Sequence, residues 1–307
     1  MKGMVVKTTG SWYRVKTEDG VFTECKIKGK FRQRGIRSTN PVAVGDKVHF
    51  IMQEKQETGL IISIETRKNY IARKASNLSK YSQIIAANID QAILMISLRE
   101  PKTLIEFIDR YLVTAQAYRI PVILLFNKID LYSTRDKEKL GQLKTIYTKI
   151  GYSCIEISVK EETKLNEIER LIQGKVSLLS GNSGVGKSSL INKFNASFNI
   201  STSEISSYHK SGRHTTTSVE MYALKNESYI IDTPGIKGFG VVHIEKDEIY
   251  HFFPEIFQFS KKCKYYNCKH INEPDCAVVN AVENGEVSLS RYQSYLNLFL
   301  DPDLKYR

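Results

Sequence analysis

The stretch that decides the fold is Gly181-Asn182-Ser183-Gly184-Val185-Gly186-Lys187-Ser188, followed by Ser189. It comes after an apolar segment, Val176 to Leu179, and opens a segment with helical periodicity, Ser188 to Phe194. Glycines, lysine and serine at this spacing between a strand and a helix are typical of a phosphate-binding loop. The alternative is a plain glycine-rich turn, but the flanking strand and helix favour a nucleotide site in an α/β domain.

Each residue type in this loop has a chemical reason. Glycines allow backbone N–H groups to surround the β-phosphate, because a Cβ atom would block the close approach. Lys187 supplies charge to the β- and γ-phosphates, Ser188 presents its hydroxyl to Mg²⁺, and the helix N-terminus adds the positive end of its dipole. We expect Lys187 to be catalytic as well, because its charge stabilises the transferring phosphoryl group.

A second motif, Asn127-Lys128-Ile129-Asp130, follows the apolar segment Pro121 to Phe126 and matches the guanine-specifying sequence of small GTPases. The Asp130 carboxylate can accept hydrogen bonds from the ring N–H and the exocyclic amine of guanine, whereas adenine offers no such pair of donors. Lys128 can lay its alkyl stem along the base, and Asn127 can tie this loop to the phosphate-binding loop. Four residues alone could equally be a solvated turn. Together with the phosphate-binding loop they predict a GTP site, and Asp130 argues against the alternative of an ATP-using enzyme.

Two further loops would complete the site, but in an unusual order. In Asp232-Thr233-Pro234-Gly235, Asp232 can hold Mg²⁺ through a water and Gly235 can contact the γ-phosphate. A plain Pro-Gly turn is the alternative. Ser158-Val159-Lys160 resembles the loop whose backbone contacts the guanine carbonyl in GTPases. In most GTPases the phosphate-binding loop comes first, whereas here the base-reading loops precede it. A circularly permuted six-stranded sheet is therefore predicted, since the termini of compact domains often lie close together.

The remainder of the chain divides into units around this domain, since 307 residues exceed the ~250 at which single cores stop growing. Residues 1–70 contain short alternating runs that predict an oligonucleotide-binding (OB)-like β-barrel, although another small barrel would fit the spacing. Residues 71–241 alternate strands and helices, as a GTPase α/β domain does. The segment from Arg67 to Ser82 resembles a linker. Residues 242–307 predict a small helical unit that ends in a helix from Ser290 to Leu300.

This last unit contains a cluster of metal-ligand residue types. They are Cys263, Cys268, His270 and Cys276. Three thiolates and an imidazole satisfy a tetrahedral, closed, structural Zn²⁺ site. Reduced, merely buried cysteines are the alternative, but this spacing favours one zinc ion.

The charge favours an anionic partner, because 45 Lys and Arg against 33 Asp and Glu give a net charge of +12. One cluster of cations without an acidic neighbour is a candidate RNA contact. Its members are Lys26, Lys28, Lys30, Arg32, Arg34 and Arg37. Such a run is more often a solvated face, but here it lies in a candidate barrel. The longest apolar runs are far below the ~20 residues that span a bilayer, so we expect a cytoplasmic protein without membrane contact. We also expect a monomer.

Permuted guanine motifs, an N-terminal barrel and a C-terminal Cys/His cluster together resemble the ribosome small-subunit-dependent GTPase family of bacteria, over nearly the whole chain. Gly212-Arg213-His214-Thr215-Thr216-Thr217 is similar to the switch motif of that family, and Arg291-Tyr292 also fits. The resemblance implies a factor that binds the small (30S) ribosomal subunit and its 16S rRNA, acts late in subunit maturation, and hydrolyses GTP to GDP faster on the ribosome. A GTP-switched protein acting on another RNA, with incidental hydrolysis, is the alternative.

The switch motif also supplies candidates for water activation and Mg²⁺ binding. Ile236 stands where many GTPases place a water-orienting glutamine, and its side chain has no hydrogen-bonding group. The resemblance points to His214, because a neutral imidazole can accept a hydrogen bond from water; a surface histidine that stabilises the loop is the alternative. Thr216 is our candidate within the threonine triplet for completing the Mg²⁺ shell.

Overall fold

A computed structural model describes residues 1–27, 41–53, 57–74, 82–195, 198, 200, 219–232 and 244–301. Several predicted site residues lie outside these ranges. They are Lys28, Lys30, Arg32, Arg34, Arg37, His214, Thr216 and Gly235.

The N-terminal unit is a closed five-stranded barrel of the OB type, as predicted. Its strands are β1 (Lys2–Thr9), β2 (Trp12–Thr17), β3 (Phe22–Ile27), β4 (Lys47–Met52) and β5 (Gly59–Ile64). Neighbours pair antiparallel except β3 and β5, which pair parallel, and the pairing of β1 with β4 closes the barrel. Fully buried side chains such as Val15, Phe50 and Ile61 fill its interior. Together with their buried neighbours, these side chains form a core of the barrel's own.

The alternating runs in the sequence are Ser11 to Lys16, Val21 to Ile27, Lys47 to Met52 and Leu60 to Ile64, so strand β1 was not predicted, for a physical reason. Val5 belongs to the barrel core, whereas its neighbour Val6 packs in the core of the GTPase domain. Because both faces of this strand are buried, its sequence does not alternate between polar and apolar residues.

The central unit is the permuted sheet that the motif order predicted. Its strands are β8 (Gln91–Ile96), β9 (Val122–Phe126), β10 (Ser153–Glu156), β11 (Val176–Gly181), β12 (Glu220–Ala223) and β13 (Tyr229–Asp232). Their spatial order is β10-β9-β8-β11-β13-β12, with only β12 antiparallel to its neighbour in this set. The helices between them are α1 (Ile105–Ala117), a 3-10 helix (Ile129–Leu131), α2 (Thr134–Lys149), α3 (Leu165–Ile172) and α4 (Lys187–Phe194). The carboxyl ends of β8, β9 and β11 therefore meet at one edge, where ligands bind in open α/β sheets.

The linker expected between Arg67 and Ser82 was wrong in part. Strand β6 (Tyr70–Lys74) pairs antiparallel with β7 (Ser82–Ala87). Ile71 is 1% exposed and packs into the GTPase core. Strand pairing with β7 and burial of Ile71 and Ala72 therefore outweigh the polar composition of the segment.

The barrel is joined directly to the GTPase sheet. Strand β1 pairs with β12 at Lys7 and Glu220, which makes one eleven-stranded sheet of both units. The barrel residue Gly45 has φ +89°, and a Cβ there would lie 2.1 Å from the carbonyl oxygen of Ala87. The contact thus requires a glycine, because any side chain would separate the two units.

The C-terminal unit consists of a 3-10 helix (Lys246–Phe252) and three α-helices, and it packs on α1 through the 3-10 helix and the last α-helix. The helices are α5 (Pro254–Ser260), α6 (Ala277–Glu283) and α7 (Leu289–Leu300). Val113 of α1 belongs to the same apolar cluster as Phe253 and Tyr295. Among the described residues, no helix combines the length and apolar character needed to cross a membrane.

Candidate nucleotide and zinc sites

The glycine-rich loop turns from β11 into α4 in a conformation that needs its glycines. Gly181, Gly184 and Gly186 have φ values of +148°, +78° and +109°. A Cβ on Gly181 would lie 2.6 Å from the carbonyl oxygen of Met95, and one on Gly186 would lie 2.5 Å from Nδ2 of Asn127. The second contact shows that the glycine-rich loop presses against the loop that begins with Asn127.

Lys187 and Asp232 are oppositely charged, half-buried residues that interact electrostatically beside this loop. The Lys187 ammonium donates to the main-chain oxygens of Gly181 and Asn182, both at 2.9 Å. Burial lowers the pKa of Lys187 and raises the pKa of Asp232, and the charge of each residue opposes the shift of the other. The arrangement offers both a cation for a phosphate and a carboxylate for a metal.

The Asp232 carboxylate is suited to Mg²⁺. Its Oδ1 atom is buried and has no hydrogen-bond partner among the described parts of the chain. Buried polar atoms normally have partners, so an orphaned carboxylate oxygen points to an ion or its water shell. The hydroxyl-bearing Ser188 stands at the start of α4, on the same loop as Lys187.

Three of the four loops that the sequence predicted to converge are joined by one side chain, Asn127, which is 2% exposed. Its Nδ2 donates to the main-chain oxygen of Val185 at 2.8 Å, which is the tie expected between the base-reading and phosphate-binding loops. Its Oδ1 accepts from the N–H of Val159 at 3.1 Å. Nearby, the Ser158 hydroxyl donates to Oδ1 of Asp130 at 2.7 Å. The Asp130 carboxylate is therefore held in place while it remains half-buried at the edge of the sheet.

Three other residues of these loops differ in their surroundings. Lys128 adopts a left-handed conformation, with φ +63° and ψ +33°, and its ammonium donates to the main-chain oxygen of Glu100. Ile129 opens the 3-10 helix that carries Asp130. Lys160 is exposed beside the buried Ser158.

The Cys/His cluster has the dimensions of a tetrahedral zinc site. Nδ1 of His270 lies 3.5 Å from Sγ of both Cys263 and Cys276. Sγ of Cys276 lies 3.9 Å from that of Cys263 and 3.7 Å from that of Cys268. Zinc bond lengths of about 2.3 Å to sulfur and about 2.0 Å to nitrogen place two sulfurs about 3.8 Å apart and sulfur about 3.5 Å from nitrogen. The cluster is suited to one zinc ion.

Hydrogen bonds from outside the ligand set hold this cluster. The Tyr292 hydroxyl donates to the main-chain oxygen of His270 at 2.8 Å, and the Tyr295 hydroxyl donates to that of Lys269 at 2.5 Å. Glu273 accepts the N–H groups of Lys269 and Ile271. Such outer contacts orient metal ligands, and here they connect the cluster to α7.

Sequence reasoning did not predict a buried charge network that attaches the C-terminal unit to α1. The Arg291 guanidinium donates to Asp109 at 2.7 Å and to the two oxygens of Glu255 at 2.6 and 3.2 Å. Asp109 also accepts from the Tyr147 hydroxyl at 2.8 Å. In the sequence, Arg291 was noted only because it fits the family pattern. An aspartate on the apolar face of α1, Asp109, was a signal that a buried partner exists.

Of the six predicted RNA contacts, the structure describes Lys26. Its ammonium lies 4.2 Å from the ring centroid of Trp12, which is 38% exposed. A cation beside an exposed indole is a surface on which an unpaired base can stack.

Comparison with known proteins agrees with this architecture. The sequence matches the family described as RsgA GTPase over residues 64–242 and the family described as RsgA N-terminal domain over residues 2–61. The chain is 54% identical to "Small ribosomal subunit biogenesis GTPase RsgA 2" of Bacteroides thetaiotaomicron, over 100% of this chain and 99% of that protein. It is 51% identical to "Small ribosomal subunit biogenesis GTPase RsgA" of Christiangramia forsetii, over 100% and 98% of the two chains.

Two solved structures share the fold. YjeQ from Thermotoga maritima superposes with a TM-score of 0.77 at 32% identity, covering 97% of this chain and 96% of that chain. YloQ, described as a circularly permuted GTPase, superposes with a TM-score of 0.71 at 29% identity, covering 97% and 93%.

Proposed function

The chain belongs to the RsgA GTPase family and is a GTPase, and from this premise we propose that it binds the small (30S) ribosomal subunit and hydrolyses GTP late in the maturation of that subunit. The observation that carries the proposal is the pair of side-chain hydrogen bonds made by Asn127. By bonding to both Val185 and Val159, it joins the phosphate-binding loop to the base-reading loops. One guanine nucleotide can then contact all of them.

We assign the base and phosphate contacts as follows. Asp130, oriented by Ser158, accepts the ring N–H and the amine of guanine, with Lys128 and Ile129 beside the base and the Ser158 to Lys160 loop at its carbonyl. The backbone of the glycine-rich loop surrounds the β-phosphate. The assigned loop residues are Gly181, Asn182, Ser183, Gly184, Val185, Gly186, Lys187, Ser188 and Ser189.

Hydrolysis transfers the γ-phosphoryl group to water, and positioning and charge stabilisation dominate such reactions. We assign charge stabilisation to Lys187, whose ammonium exchanges its loop carbonyls for phosphate oxygens when nucleotide binds. Ser188 and Asp232 would hold Mg²⁺, which supplies further positive charge to the phosphates. Gly235 as a γ-phosphate contact, Thr216 as a further magnesium ligand and His214 as the water-orienting group remain proposals from the sequence.

We propose that 16S rRNA contacts both terminal units of a monomeric, cytoplasmic protein. On the barrel, the surface contains Lys26 and Trp12. On the zinc unit, Tyr266 is 99% exposed, and the Lys264 ammonium lies 5.6 Å from the Tyr265 ring. We keep the division into residues 1–70, 71–241 and 242–307.

The experiment that tests this function is GTP turnover with and without purified 30S subunits. We expect faster turnover with 30S subunits, and co-sedimentation with them in a non-hydrolysable GTP analogue. Unchanged turnover and no co-sedimentation would instead favour a GTP-switched protein that acts on another RNA.

The base assignment has its own test, Asp130→Asn. The amide offers a donor where the carboxylate offered an acceptor, so preference should shift from GTP toward xanthosine triphosphate. Competition between the two nucleotides measures the shift. Unaltered base selectivity would refute the role of Asp130.

A further inference from the structure

We propose that Tyr132 is a positioning residue for guanine binding, an inference that rests on the function proposed above. Tyr132 follows the 3-10 helix that carries Asp130, and its side chain is buried, with 6% exposed. Its hydroxyl donates to the main-chain oxygen of Asn127 at 3.0 Å and accepts from the N–H of Leu98 at 2.9 Å. One phenol therefore joins the base-reading loop to the loop between β8 and α1.

The carbonyl that Tyr132 holds controls an unusual backbone conformation. It belongs to the peptide unit between Asn127 and Lys128, and the orientation of this unit determines the φ of Lys128. That φ is +63°, a region that residues other than glycine seldom adopt unless their surroundings hold them there. The Lys128 ammonium also donates to the Glu100 carbonyl, in the same loop as Leu98. The β8–α1 loop thus holds Lys128 both directly and through Tyr132.

The hydrogen bonds of Asn127 connect Tyr132 to the loops that would bind the nucleotide. Its four polar groups bond to four different segments: the N–H to Ile96, the side chain to Val185 and Val159, and the carbonyl to Tyr132. Of these four bonds, only the one to Tyr132 comes from the segment that contains Asp130. Without its hydroxyl, the Asn127 carbonyl and the Leu98 N–H lose their partner in a buried place. The loop that presents Asp130 would then sample orientations that do not fit guanine.

The test is Tyr132→Phe in the full-length, zinc-loaded protein, because phenylalanine fills the same space without the hydroxyl. We expect the Kd for a fluorescent GDP analogue and the KM for GTP to rise about tenfold. The kcat should change by less than about twofold, since lost binding that is equal in ground and transition states raises KM alone.

The matched control is Tyr147→Phe, which removes another buried hydroxyl, bonded to Asp109 at 2.8 Å. This variant should lose thermal stability but keep wild-type Kd and KM. Wild-type Kd and KM in Tyr132→Phe, or an equal rise in Tyr147→Phe, would overturn the inference. If the Asp130→Asn shift toward xanthosine triphosphate still occurred, the proposed function would survive that failure. If wild-type protein bound no GTP, the proposed function would fail first.

Discussion

Replacing Arg291 with methionine should destabilise the packing of the C-terminal unit on the GTPase domain. Arg291 is 1% exposed, and its carboxylate partners Asp109 and Glu255 are 0% and 6% exposed. Removing one partner of such a buried network costs about 3–5 kcal/mol, because the remaining charges keep no counterion. With about 2–4 °C lost per kcal/mol in domains of this size, the thermal midpoint should fall by roughly 10 °C.

The loss should depend on pH in a direction that follows from burial. Burial raises the pKa of Asp109 above its ordinary value, and Arg291 opposes that shift. Without Arg291, the folded-state pKa lies further above the unfolded value of about 4, so the carboxyl stabilises the fold only while it is protonated. That contribution is present at acidic pH and is lost as pH rises through the folded-state pKa. Arg291→Met should therefore be less impaired relative to wild type at pH 5 than at pH 8.

Calorimetry of the zinc-loaded variants at both pH values measures this effect. The matched control is Arg110→Met, since the pair of Arg110 with Asp301 is longer, at 3.3 Å, and partly exposed. Its loss should be about 0–1 kcal/mol. A second variant combines Arg291→Met with Asp109→Asn and Glu255→Gln, and should regain much of the stability because no buried charge remains. Equal midpoints for Arg291→Met and Arg110→Met at pH 8 would refute the reasoning.

Three further outcomes follow from the sites. Lys187→Ala should slow single-turnover GTP hydrolysis by about a hundredfold or more, since it removes charge beside the transferring group; full turnover would mean that the loop is misassigned. Gly186→Ala should abolish nucleotide binding measured by fluorescence titration, because its Cβ would lie 2.5 Å from the Asn127 side chain. The control Gly141→Ala should bind nucleotide normally, because no atom lies within 4 Å of its Cβ. Chelation of zinc should lower the thermal midpoint and expose Cys263, Cys268 and Cys276 to thiol reagents, since structural zinc contributes folding energy. Midpoints that are identical with and without chelator would show that the cluster does not depend on a metal.

The parts of the site that sequence reasoning reached are those in which local chain chemistry is sufficient. A glycine-rich turn between a strand and a helix, and a carboxylate four residues along from a strand end, have the same geometry wherever they occur. The permutation left the local context of each loop unchanged. For the same reason, the helix expected from Ser188 to Phe194 differs from the observed α4 by only one residue at its start.

The parts that it missed depend on contacts between distant segments. Tyr132 could be read as an ordinary aromatic after a turn, because its partner Leu98 lies thirty-four residues away. The Arg291 network joins residues separated by 182 positions. No local periodicity encodes such pairs.

By itself, the sequence determined that a guanine nucleotide and a zinc ion are the expected ligands, because loops and ligand spacings bring their own geometry. Only the tertiary structure decided that β1 belongs to two cores at once, that Tyr132 bonds to the Asn127 carbonyl, and that Arg291 anchors the C-terminal unit. Those features arise from packing and desolvation, whose free energies depend on the three-dimensional neighbours that each side chain acquires on folding.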